Sequence, residues 1–242
     1  MNFLHAGLIE LGFESGEFSG IKTIPMTEIE KKMETYISAL QEYNAKFDLI
    51  NTDNHDEIAV RHILDSLSAV PKICEILSQK INGDYSLIPN IQLADIGSGA
   101  GLPGIPVSSV LPDFHFTLIE RMTKRCNFLS HCTQILKLKN VTVEENQAER
   151  LEQKRFDLCI FRAFRPLDKK MTKVLLRILK DSGKLCAYKA RKTNIIEEME
   201  NLPQKPEYEI IPLKVPFLTE KAELLSGTQN EERERNLVVI EK

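Results

Sequence analysis

Apolar residues recur every three or four positions over the first third of the chain. Ile29, Met33, Tyr36, Ile37, Leu40, Tyr43 and Phe47 fall on one side of a helix opening at Thr27, where Glu30, three residues on, completes a capping box. A second helix is expected over His55–Val70, from Ile58, Ile63, Leu64 and Leu67, stopping at Pro71; a third is expected over Lys72–Lys80. Ahead of them a short apolar patch (Leu8, Ile9, Leu11, Phe13) gives way to a Gly/Ser/Glu loop. Residues 1–85 thus form a helical segment without strands.

The period changes near residue 91. Ile91–Ile96, Phe114–Ile119, Val141–Glu144, Phe156–Phe161 and Lys184–Ala187 are short apolar runs of strand type. Between them lie helical patterns over Met122–Leu138, Asp168–Lys180 and Thr193–Asn201. Glu209–Val215 and Leu237–Ile240 follow as late strands with no clear helix between them. Alternating strands and helices specify an α/β fold with a mostly parallel, Rossmann-like sheet, and the missing last helix allows an antiparallel final strand. The chain divides into a helical subdomain, 1–85, and a sheet domain, 86–242.

Composition narrows the class. With 42% hydrophobic and 28% charged residues, and only 11 Gly and 11 Pro in 242, the chain is of ordinary globular type. The longest uncharged stretch, Ile96–Pro112, holds four Gly and three Pro and cannot be a membrane span. Met1–His5 lacks the basic lead and apolar core of a secretory signal. Cys74, Cys126, Cys132, Cys159 and Cys186 are odd in number and form no C-x-x-C, and no histidine has metal-ligand spacing. Reduced thiols, a cytoplasmic location, no metal and a monomer are expected. Net charge is −3, yet residues 120–192 carry 19 Lys and Arg against 8 Asp and Glu. So basic a segment in an otherwise acidic chain suggests a polyanionic partner such as nucleic acid; solvated helix faces would explain it equally well.

The sharpest motif is Asp95-Ile96-Gly97-Ser98-Gly99-Ala100-Gly101-Leu102-Pro103-Gly104, at a strand-to-helix turn. Such turns place ligands at the carboxyl ends of strands. Gly99-x-Gly101-x-x-Gly104 matches a dinucleotide fingerprint, whereas Asp95 ahead of Gly97-x-Gly99-x-Gly101 suits S-adenosyl-L-methionine. Asp95 would repel a pyrophosphate and attract the cationic aminoacyl and sulfonium groups. Glu120, ending the second strand, can accept the ribose hydroxyls of either cofactor. A methyltransferase, a dinucleotide enzyme and a purely structural glycine turn all remain open on these residues.

Six stretches in order carry a family resemblance: Arg61-His62-Ile63-Leu64-Asp65-Ser66-Leu67, the loop Asp95–Pro106, Lys124-Arg125-x-x-Phe128-Leu129, Ala148-Glu149, Arg162-Ala163-Phe164 and Leu237–Ile240. Together they resemble the GidB (RsmG) family, over roughly residues 27–241. That resemblance implies a class I methyltransferase fold and methylation, from S-adenosyl-L-methionine, of guanosine N7 in the 530 loop of 16S ribosomal RNA, at position 527 in the usual rRNA numbering. Naked 16S rRNA or a small-subunit precursor would be the partner. It implies cofactor contacts at Gly97, Leu102, Ala148, Glu149 and Arg162, beside Asp95, Gly99, Gly101 and Glu120 from the loop chemistry. Arg162 could instead pair with Asp95 or Glu120. Candidate RNA contacts are Arg61, His62, Lys124, Arg125, Arg165, Lys189 and Arg191, with Lys169 and Lys192 as further cations. Arg61 and Asp65, four apart on a helix, share a face and could simply pair.

The chain departs from the family pattern at Asp48-Leu49-Ile50, Arg121, Ala190 and Asn236. N7 methylation needs no proton relay, and none is apparent; Arg162 would lie near the transfer site. An unpaired guanine must show its Watson–Crick edge to a carboxylate, for which Asp65 is one candidate. The alternative is a catalytically idle RNA-binding or ribosome-assembly factor with the same fold.

Overall fold

The computed structural model describes residues 2–164, 167–203, 205–219 and 233–242. The chain opens with α1 (Phe3–Glu10), a hairpin of β1 (Glu17–Phe18) and β2 (Ile21–Lys22), and α2 (Met26–Phe47). Then come α3 (His55–Ile58), a π-helical turn (Ala59–Leu64), α4 (Asp65–Leu67) and α5 (Val70–Ile81). The sheet region runs β3 (Gln92–Ile96), α6 (Gly104–Val110), β4 (His115–Glu120), α7 (Thr123–Ile135), β5 (Val141–Glu145), β6 (Phe156–Arg162), α8 (Lys169–Ile178), β7 (Leu179–Lys189), α9 (Lys192–Glu200), β8 (Tyr208–Pro212) and β9 (Asn236–Glu241).

The seven-stranded sheet has the order β5-β4-β3-β6-β7-β9-β8. Strands β3 to β7 pair in parallel; β9 inserts antiparallel between β7 and β8. The expected antiparallel close is therefore present, as a β8–β9 pair. Alternate residues of β6 feed two cores. Leu158 and Ile160 join one with α1, α2, α5, α6 and α7; Cys159 and Phe161 join the other with α8 and α9. A strand buried on both faces reads as an unbroken apolar run, which is why Phe156–Phe161 is visible in sequence.

Four local expectations are corrected. The capping box at Thr27 does not form: α2 begins one residue earlier behind Pro25, whose fixed φ suits a helix start, and Glu30 instead accepts from Asn2 and contacts His5. Pro71 lies in the first turn of α5 rather than ending the helix before it, as proline is tolerated there. Residues 1–85 do contain strands, the two-residue hairpin of β1 and β2. The strand expected at Lys184–Ala187 extends over Leu179–Lys189, because parallel pairing to β6 and antiparallel pairing to β9 hold its polar ends too.

Candidate active site

The glycine loop is organised from beneath. Asp95, fully buried at the end of β3, accepts from Ser98 Oγ (2.7 Å) and the Gly104 N–H (2.9 Å) through one oxygen. Its other oxygen is buried without a partner. Burial raises its pKa to about 6, against the hydrogen bonds from Ser98 and Gly104 and the charge of Arg162. The Gly97 and Ser98 N–H groups both donate to the Ile119 carbonyl at 2.9 Å, and Tyr36 of α2 donates to the Ala100 carbonyl at 2.5 Å. Gly97 and Gly101 both have positive φ, +70° and +91°. A Cβ on Gly101 would come within 2.6 Å of Ile105 and 2.9 Å of the Tyr36 hydroxyl, so glycine there serves packing.

A cleft of about 310 Å³ lies above the carboxyl ends of β3, β4 and β5. Gly97, Glu120, Ala148 and Glu149 line it, with Arg121, Arg125 and Phe164. Glu120 Oε1 accepts from the Arg121 and Met122 N–H groups, and Oε2 from Gly99 N–H at 3.0 Å. A carboxylate has about four acceptor sites, so Glu120 keeps capacity for one hydroxyl rather than the ribose pair expected. Glu120→Ala is expected to lower folding stability by roughly 2–4 kcal/mol, because three backbone donors lose their acceptor together. Urea denaturation measures this, and a change below about 1 kcal/mol would contradict the assignment.

A second cleft, of about 570 Å³, opens beside the first over the ends of β6 and β7 and the start of β9. Ala163 and Phe164 line both. Its upper wall is the RHILDSL segment, its lower wall Tyr188, Lys189, Ala190 and Glu198. Asp65, 2% exposed, binds Arg162 Nη1 at 2.5 Å and Arg235 Nε at 3.1 Å, one oxygen each. Arg162 Nη2 also lies 3.2 Å from His62 Nδ1. Burial, then the charges of Arg162, Arg61 and Arg235, lower the His62 pKa to about 3, so its ring is neutral and Nδ1 can accept from Arg162. Lys189 binds both oxygens of Glu198, at 2.9 and 2.8 Å.

These contacts revise several expectations. Of the loop residues, Gly97 lines the first cleft, Asp95 and Leu102 are buried, Gly101 packs against Tyr36, Ile105 and Leu129, and half-buried Gly99 donates its N–H to Glu120. Arg162 pairs with neither Asp95 nor Glu120 but with Asp65, across the second cleft. Arg61 does not pair with Asp65, because the π-helical turn between them has a longer period than an α-helix; Arg61 pairs back to Glu57. Asp65 is 2% exposed and each of its oxygens accepts from a guanidinium group, so its carboxylate is directed at Arg162 and Arg235 and is buried away from a base.

The RNA candidates separate likewise. Arg61, His62 and Lys189 line the second cleft, and Arg125 lines the first. Lys124 sits 5.9 Å from the Phe47 ring centroid on the exposed surface, and Arg191 is exposed before α9. Arg165 lies outside the described residues. Much of the positive charge of residues 120–192 is paired, as in Arg155–Glu144, Lys154–Asp181, Lys180–Asp157 and Lys184–Glu241. Sequence reasoning passed over Glu198, Tyr188 and Arg235 as site residues. The register Arg162↔Tyr188 and Lys189↔Asn236, which brings them together, is set only by the completed sheet.

Comparison with known proteins gives the family. The GidB family pattern, described as rRNA small subunit methyltransferase G, matches residues 29–226. A ribosomal RNA small subunit methyltransferase G of Treponema denticola is 34% identical, covering 92% of this chain and 90% of the relative. One of Salmonella arizonae is 33% identical, covering 90% and 91%. A crystal structure of a predicted O-methyltransferase from Agrobacterium tumefaciens superposes with a TM-score of 0.50 at 19% identity, covering 64% of this chain and 75% of that one, which is a likeness of fold. With the match running from α2 through β8, the chain belongs to the GidB family, rRNA small subunit methyltransferase G.

Proposed function

We propose that this protein transfers a methyl group from S-adenosyl-L-methionine to N7 of a guanosine in small-subunit ribosomal RNA, in the 530 loop as the family resemblance implies. The observation that carries the reading is the pair of adjoining clefts over the carboxyl ends of the parallel strands, one on the glycine loop and one among cations, sharing Ala163 and Phe164. The residues fit the cofactor: Gly97 presents bare backbone at φ +70°, Ala148 is small, and Glu120 retains one acceptor site. Gly97, Glu120, Ala148 and Glu149 would hold it. When bound it supplies an electrophilic methyl on a sulfonium sulfur, which becomes a neutral thioether as the acceptor lone pair takes the methyl.

The chain's own residues align and shield. Phe164 covers Gly97 between the two clefts; a Cβ on Gly97 would lie 2.2 Å from its ring. Arg162, fixed by Asp65 and His62, closes the second cleft beside the place where the base would sit. Guanine N7 carries a free lone pair and no proton at neutral pH, so alignment replaces proton transfer.

The single-turnover rate, at saturating RNA, is expected to vary less than about threefold from pH 6.5 to 9, the range in which a general base would titrate. His62 stays neutral throughout with its pKa near 3, and burial holds Tyr188 above its ordinary value. A rate rising tenfold per pH unit through a pKa near 7 would exclude N7 as the acceptor.

A further inference from the structure

The second cleft offers two carboxylates, Asp65 and Glu198. Asp65 has both oxygens bound by guanidinium groups from opposite sides. Glu198 differs. Its side chain is 18% exposed, it faces the cleft from α9, and among the described residues its charged partner is Lys189. Lys189 binds both carboxylate oxygens, and the Leu167 N–H donates to Oε1. The Lys189 ammonium has three donors and can keep one bond to Glu198 while another turns to a ligand.

We propose that the Lys189–Glu198 pair reads the Watson–Crick edge of the acceptor guanine; this rests on the functional reading above. An ammonium beside a carboxylate is a donor beside a pair of acceptors. Guanine presents the complement: O6 accepts, while N1–H and the 2-amino group donate. Adenine and cytosine present an amino donor where guanine has O6 and an acceptor where guanine has N1–H, so they meet the pair reversed. Uracil shares the first two groups but lacks the 2-amino donor. O6 neighbours N7, so a base read this way by its far edge keeps N7 toward the first cleft. Lys189 ends β7, beside β6, and the residues that follow β6, Ala163 and Phe164, line both clefts. Glu198 thereby acts as a specificity residue for the reaction.

The test combines Glu198→Gln with small-subunit rRNA ligated to carry guanosine or inosine at the methylated position. Inosine keeps N7, O6 and N1–H and lacks only the 2-amino group. Wild-type protein is expected to lose about 10–100-fold in kcat/KM on inosine, the cost of a charged acceptor left unpaired. Glu198→Gln is expected to lose a similar factor on guanosine, and inosine should then cost it less than threefold more. Its affinity for S-adenosylmethionine, by calorimetry, should stay within twofold. Losses that multiply independently, or a wild-type cost below threefold on inosine, overturn the proposal; the latter needs no variant to fold. A wild-type protein that methylates no guanosine overturns the functional reading and this proposal together.

Discussion

Gly97→Val is expected to abolish cofactor binding, a loss of at least about 100-fold, or roughly 2.7 kcal/mol, in a protein that remains folded. Gly97 turns the chain out of β3 at φ +70°, where a β-branched residue is disfavoured, and its backbone forms part of the first cleft's floor. A Cβ there would meet the Phe164 ring at 2.2 Å, and the branches of valine would fill the space left for a ligand. The clash is with one side chain at the mouth of two clefts, so Phe164 can give way. The backbone strain, on the order of 1–2 kcal/mol, is within the stability of a domain of this size. Calorimetry with S-adenosylmethionine, beside a melting curve, separates the two effects. Affinity within threefold of wild type in a folded Gly97→Val protein would remove the glycine loop from the cofactor site.

Asp65→Ala is expected to destabilise the fold by about 3–5 kcal/mol, the cost of breaking a buried ion pair from one side. Asp65 is 2% exposed, and Arg162 and Arg235 are 16% and 23% exposed. Removing the carboxylate leaves two guanidinium groups without their shared counter-charge, next to a histidine that burial and, after it, their charge already keep neutral. It also removes one of the links from the helical segment to β6, and the link to the chain entering β9, since Asp65 bridges both. Denaturation midpoints of the Ala and Asn variants measure this, with Asn expected to lose less because its carbonyl still accepts. A loss under about 1 kcal/mol for Asp65→Ala would mean that the triad does not hold the second cleft together.

The sheet was legible because its strands are apolar runs separated by helical periods, and Phe156–Phe161 is the clearest case. The lining of the first cleft was legible too, since its residues cluster in short segments, at Gly97, Glu120 and Ala148–Glu149. What the motif could not distinguish is what each glycine does. Gly97 and Gly101 share positive φ, yet one borders a cleft and the other packs against Tyr36, Ile105 and Leu129. Asp95 looks like a ligand contact from its place before the loop, but its hydrogen bonds turn it inward to the loop's own N–H and hydroxyl groups.

The second cleft was less legible because it is assembled across long sequence separations. Asp65 meets Arg162 and Arg235, 97 and 170 residues away. The π-helical turn re-aims Arg61, and its longer period leaves no mark in an apolar pattern that also fits an α-helix. Two departures from the family pattern also prove to be neighbours: the Asn236 side chain donates to the Ala190 carbonyl at 2.5 Å, joining β9 to the end of β7 below the second cleft. Nothing in their separate positions announces that contact.

The central claim is that the two clefts together methylate one ribosomal guanosine at N7. It is tested most directly by incubating the purified protein with S-adenosylmethionine and small ribosomal subunits that lack the modification. The small-subunit rRNA is then digested and each methylated nucleoside mapped by mass spectrometry. A single new 7-methylguanosine, in the 530 loop, is the result this account predicts. A methyl group on another base or another atom of guanine, or none despite measurable cofactor binding, would contradict it.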